Sequence, residues 1–130
     1  ALSIAAYLGH AGYVRRLVEA GAEVDFFGWP PLVYAAYNGH TEIVDYLAER
    51  GAGVDARTEN GSTALFFAAR FGHFDTVRTL LEKHHADPSI VNDRGETAVD
   101  WARKGRHSEV EALLRKASDQ PAGALPIPNR

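Results

Sequence analysis

The chain has no cysteine and no methionine among its 130 residues. Without cysteine there is no disulfide framework, no thiolate metal site and no cysteine nucleophile. No apolar run approaches the roughly 20 residues that a membrane-spanning helix needs. The opening Ala1-Leu2-Ser3-Ile4 lacks the basic segment that begins a secretory signal. An excess of one charge is also missing: the formal net charge is -3 and the pI about 6.1. A chain-wide attraction to nucleic acid or anionic lipid is therefore not expected. Neither a Gly-x-Ser-x-Gly elbow, a His-Glu-x-x-His pair nor a phosphate-cradling glycine loop occurs, so no catalytic residue, cofactor or metal is assigned.

What the chain does have is repetition. Leu32-Val33-Tyr34-Ala35-Ala36-Tyr37-Asn38-Gly39-His40 returns further along as Leu65-Phe66-Phe67-Ala68-Ala69-Arg70-Phe71-Gly72-His73, with Leu65 in the place of Leu32. The same frame is visible from Leu2 to His10 and, more loosely, from Val99 to His107. A period of about 33 residues marks a stacked-repeat architecture. Each unit continues with a second apolar stripe at helical spacing, as in Ile43, Val44 and Leu47, so each unit is expected to be a helix pair. Glycine then closes the second helix at Gly21 and Gly51, and Thr63 and Thr97 are placed to cap the first helix that follows.

These motifs together resemble the ankyrin repeat, whose Gly-x-Thr-Pro-Leu, paired alanine, Gly-His, Val/Leu and Gly-Ala-Asp elements recur over about residues 1–117. The resemblance implies an all-α solenoid of four stacked helix pairs with short, β-hairpin-like connections. The repeats are expected at about 1–25, 26–56, 57–90 and 91–117, with an extended Pro-rich tail over 118–130. The chain opens within a repeat, so it reads as processed or truncated, and its first repeat lacks an N-terminal cap. A soluble protein is expected, cytoplasmic by default.

Three departures from the period carry information. Leu2 stands closer to Leu32 than Leu32 does to Leu65, so the first connection is short; it holds Phe26, Phe27 and Trp29 before Pro30-Pro31. Leu65 and Val99 are one position further apart than the period, and His85 stands where a helix-ending glycine belongs, so an irregular helix end is expected near Lys83-His84-His85. In the fourth unit Arg106 replaces glycine, Arg103 an alanine and Glu111 a valine. Polar substitutions of that kind suit a C-terminal capping repeat. In the tail, Leu125 and Ile127 are candidate anchors against the last repeat or a neighbouring molecule.

The resemblance also assigns His10, His40, His73 and His107 a structural role, bonded to neighbouring backbone. They recur once per repeat, about 10 Å apart, too far to share an ion. His84, His85 and Asp87 make a weak surface-metal candidate, set against an ordinary loop end.

By the same resemblance, the hairpin tips and the exposed flank of each first helix form a concave partner-binding face. That face comprises Tyr7, Phe26, Phe27, Trp29, Tyr37, Asn38, Arg57, Glu59, Asn60, Ser62, Arg70, Phe71, Arg94 and Lys104, with Leu8, Asp93 and Glu96 beside them. Aromatic residues and arginine are the types enriched at interface hot spots. The expected partner is another protein, with no nucleic acid and no membrane; the uncapped first repeat offers a route to self-association. The expected role is an adaptor, scaffold or inhibitor module. The alternative is a non-catalytic segment of a larger enzyme or toxin. A weaker reading places nucleic acid or a small molecule at the histidine loop, His84-His85, and the basic end around Arg103, Lys104, Arg106, Arg115 and Lys116.

Overall fold

The computed structural model describes residues 2–24 and 29–119. Phe26 and Phe27, and the tail with Leu125 and Ile127, lie outside the described residues. Within them the chain is helical without strands, in the order α1 (Leu2–Leu8), α2 (Ala11–Glu19), α3 (Pro31–Tyr37), α4 (Thr41–Glu49), α5 (Ala64–Arg70), α6 (Phe74–Arg78), α7 (Ala98–Lys104) and α8 (Ser108–Asp119). A π-helical turn, Thr79–Lys83, continues α6. Odd-numbered helices pack side by side in one layer and even-numbered helices in the other.

The small residues permit that packing. Ala5-Ala6, Ala35-Ala36 and Ala68-Ala69 are buried, so the first helices approach closely, while Val14, Val44, Leu47, Val77, Leu80 and Leu114 close the core from the second layer. A single pair could not bury both its faces; the stack makes one continuous core of them.

The turns inside the second and third pairs share one device. His40 Nε2 donates to the Tyr7 carbonyl oxygen at 2.9 Å, and His73 Nε2 donates to that of Tyr37 at 3.0 Å. Each imidazole lies directly over the glycine of the preceding repeat. A Cβ built on Gly39 would come within 2.5 Å of the His73 ring, and one on Gly9 within 2.6 Å of His40. Both glycines have φ above +70°, so glycine is required twice over, by backbone and by space.

The irregular end expected near Lys83 is present and has a definite form. In α2 and α4 the second helix closes when Ala22 donates to the Leu17 carbonyl and Ala52 to that of Leu47, both at 3.0 Å. The equivalent bond of the third repeat runs from Ala86 to Leu80 at 2.8 Å and spans one residue more. The π turn absorbs that residue, with His84 N–H reaching the Thr79 carbonyl at 3.3 Å. His85 then adopts φ 56°, the left-handed place that Gly21 and Gly51 fill elsewhere.

Two local expectations need correction. Thr63 does not cap α5: its hydroxyl oxygen is buried and has no hydrogen-bond partner among the described residues. Three residues on stands Phe66, which offers no reciprocal acceptor. Thr97 does have one, because Asp100 Oδ2 accepts from its backbone N–H at 3.0 Å and from its hydroxyl at 3.4 Å. The last helix also runs to Asp119, beyond the boundary placed at 117.

Candidate functional site

The first helices place one side chain per repeat in a row along a shared flank. Tyr7, Tyr37, Arg70 and Lys104 hold the same position in successive repeats, and Phe71 follows Arg70. Their rings meet: Tyr7 and Tyr37 are 6.2 Å apart between centroids, and Tyr37 and Phe71 are 4.7 Å apart. Tyr7 is 40% and Phe71 43% exposed, whereas Tyr37 between them is half-buried. Arg70 is exposed beside Phe71.

Trp29 stands behind this row. It is half-buried and packs forward on Phe67 at 4.8 Å, Tyr34 at 5.3 Å and Tyr37 at 6.2 Å. Sequence reasoning left Tyr34, Phe67 and Trp101 out of the site, yet they form the wall beneath it. Tyr7 meets Tyr34 edge-on at 6.0 Å, and Phe67 meets Trp101 edge-on at 5.3 Å. Their signal was available, since an aromatic residue recurs at that place in three repeats. Offset and edge-to-face pairs of this kind fix ring orientation, which gives the exposed rings a firm bed.

The remaining candidates separate into free and committed side chains. Asn38 Nδ2 donates to the Tyr7 carbonyl at 2.7 Å, which ties the second repeat to the first. Asn60 builds its own turn: its Oδ1 accepts from Thr58 Oγ1 at 2.6 Å and Ser62 N–H at 3.2 Å. Ser62 is not on the open surface, contrary to expectation. It is fully buried, because the next connection lies over it, with Asn92 Nδ2 donating to its hydroxyl at 3.4 Å and Asp93 N–H donating to the Asn60 carbonyl at 2.9 Å. Arg57, Glu59 and Arg94 are exposed at the turn tips. Val91 is an exposed apolar residue of the same region, 46% accessible, that the motif frame does not single out.

Lys104 is exposed but held by Glu96. Glu96 is a hub: Oε1 also accepts from Trp101 Nε1 at 3.0 Å and Asn92 Nδ2 at 3.1 Å. Donation from Lys104, then Trp101 and Asn92, holds its carboxyl down at about 2. The hub joins the third connection to α7 and fixes the basic end of the row. Three of the five bases of the expected basic end are matched by acids, since besides Lys104, Arg103 meets Asp100 at 3.3 Å and Arg115 meets Glu111 at 2.7 Å.

The histidine pair of the loop diverges. His84 Nε2 lies 2.7 Å from Asp45 Oδ1, and Lys83 Nζ is 2.9 Å from the other oxygen of the same carboxylate. Burial pushes the Asp45 carboxyl up, but hydrogen bonds from Lys83 and His84 outweigh it and hold it below the usual value. His85 instead borders a cavity of about 350 Å³ between the π turn and α8. Asp87 accepts from Ser89, at 2.6 Å from its hydroxyl and 2.9 Å from its N–H, so it is part of a turn.

Comparison with known proteins agrees with this geometry. The family described as ankyrin repeats (many copies) matches over residues 2–48, 32–81 and 67–114. Among curated proteins, the NAD-capped RNA hydrolase NUDT12 of Homo sapiens is 47% identical over 60 residues, 46% of this chain and 13% of that protein. The Pongo abelii hydrolase of the same name gives the same figures. The neurogenic locus notch homolog protein 2 of Homo sapiens is 34% identical over 120 residues, 89% of this chain and 5% of that protein. The chain therefore spans only a small part of either relative.

Proposed function

The chain belongs to the ankyrin-repeat family, whose arrays are in general non-catalytic protein-interaction modules, and from that premise we propose that it grips a partner protein along the flank of its first helices and turn tips. The observation that carries this reading is the row Tyr7, Tyr37, Arg70 and Phe71. It exposes aromatic surface and a guanidinium on a bed of packed rings. A preorganised surface loses little side-chain entropy on binding, and buried aromatic and arginine anchors supply most of an interface's energy. The role is that of an adaptor, scaffold or inhibitor; the mechanism is shape complementarity, with Arg70 receiving an acidic group of the partner.

The test compares the native chain with an Arg70→Glu, Phe71→Ala variant as baits for proteins of the source cell. Both substitutions lie on exposed side chains, so the variant should still melt cooperatively. A partner held by the native chain and released by the variant supports the reading. Retention of the same proteins by both baits would move the binding surface elsewhere.

The similarity to the NAD-capped RNA hydrolase favours a second reading, in which this array is the non-catalytic part of a larger enzyme. A catalytic domain encoded in the same reading frame would establish it, and a frame containing only repeats would remove it.

A further inference from the structure

The aromatic row is an array of hydrogen-bond donors as well as of rings. Tyr7, Tyr34 and Tyr37 each carry a phenol hydroxyl and Trp29 an indole N–H, and none of these four groups has a hydrogen-bond partner among the described residues. The buried polar atoms that lack one belong to Tyr46 and Thr63 instead. Trp101, deeper in the stack, spends its own indole N–H on Glu96 at 3.0 Å. Acceptors along the row are already taken: Asn38 and His40 bond the Tyr7 carbonyl, and His73 bonds that of Tyr37. Arg70 meets no carboxylate among the described residues, although Arg15, Arg78, Arg103 and Arg115 each do. Rings, unspent donors and one unmatched positive charge are what this face holds out.

Building on the reading of this row as the binding face, we propose that the partner segment seated there is proline-rich and held in the polyproline II conformation, with an acidic side chain against Arg70. The three common backbone types differ in what they bring. An α-helix spends its carbonyls on its own N–H groups and would leave the row's donors unused. An extended strand brings N–H groups along with its carbonyls and binds by joining a sheet edge, and the described residues contain no strand. A polyproline II segment has no internal hydrogen bonds, and its prolines carry no N–H. It therefore supplies carbonyl acceptors where the row supplies donors, and its rings pack on aromatic faces. The dimensions agree. Such a segment repeats every three residues over about 9 Å, and the steps from Tyr7 to Tyr37 and from Tyr37 to Phe71 are 6.2 and 4.7 Å. Prolines three positions apart rest on Tyr7 and Phe71, the two exposed rings, and half-buried Tyr37 is recessed between them. The ring bed and the proline backbone are both ordered beforehand, so little conformational freedom is lost on binding.

The experiment passes two pools of synthetic peptides, each about four polyproline II turns long, over the immobilised chain. The first pool has proline at every third position, a single glutamate, and varied residues elsewhere. In the second, alanine replaces every proline, which favours a helix at the same charge. Retained peptides are then titrated by fluorescence anisotropy. They should come from the proline pool. Replacing Tyr7 and Tyr37 together by phenylalanine, which keeps both rings and removes both hydroxyls, should weaken them by about tenfold. Arg70→Gln should remove the preference for glutamate over glutamine in the same peptides. Equal retention of the alanine pool, failure of both pools to bind, or proline peptides indifferent to the loss of the hydroxyls would each overturn the proposal. Alanine peptides released by the Arg70→Glu, Phe71→Ala variant would do so while leaving the row as the binding face. Peptides of either pool that hold that variant undiminished would count against the row itself. Should neither pool bind, the protein baits described above decide the row separately.

Discussion

Gly39 and Arg106 occupy the same place in their repeats and share a left-handed backbone, at φ 73° and 62°. What differs is the neighbour: His73 covers Gly39, and among the described residues no histidine of a following repeat covers Arg106. Gly39→Ala therefore combines an unfavourable backbone with a clash against an imidazole, and should cost roughly 2 kcal/mol or more. Arg106→Gly relieves only the backbone and should stabilise by up to about 1 kcal/mol. Thermal melting of both variants checks the pair of signs. Glu96 gives a second residue-scale outcome. Its folded carboxyl sits at about 2 against an ordinary 4.5, so the folded state binds fewer protons than the unfolded one between these values. The stability it contributes is fully present above about pH 4.5 and is lost as pH falls towards 2. Glu96→Gln should flatten that part of the stability profile measured by urea unfolding at stepped pH. The Arg106 substitution was legible in the sequence as a broken frame. The burial of Ser62 was not, because a serine in a turn reads as surface until the next repeat's Asn92 and Asp93 are laid over it.

At the scale of elements, the period located the helices of the described residues, and its faults located the irregularities. One extra residue between Leu65 and Val99 became a π turn, because the Leu80 carbonyl still had to meet the Ala86 N–H that closes the helix. Helix caps were less legible. Thr63 and Thr97 occupy equivalent places, but only Thr97 has an acid three residues on. Asp100→Ala should consequently cost about 1 kcal/mol. Thr63→Val, which replaces a buried hydroxyl lacking a partner with a methyl of similar size, should stay within about 0.5 kcal/mol of neutral or be slightly stabilising. Guanidinium unfolding of the two variants checks the contrast; an equal loss in both would mean that the two helix starts are equivalent after all.

Across the whole molecule, charge and aromatic surface follow the stack. Residues 1–56 carry seven acids and three bases, and residues 57–130 carry ten acids and eleven bases. The row runs from Tyr7 and Tyr37 at the acidic end to Arg70 and Lys104 at the basic end, with Lys104 already engaged by Glu96. A partner that lays apolar side chains on the rings and an acidic group on Arg70 would be held in one orientation, since charge complementarity fixes register more than it adds affinity. The repeat frame made the row's position legible, but not which of its side chains were free. That depended on contacts between repeats, such as Asn38 with Tyr7, which no single repeat contains. The most direct test of binding along this row replaces Phe71, and separately Glu109 on α8, with a photoreactive phenylalanine analogue and irradiates each chain with its captured partner. The account predicts a covalent adduct from position 71 and none from position 109. An adduct from 109 alone would contradict it and place the partner against the second-helix layer.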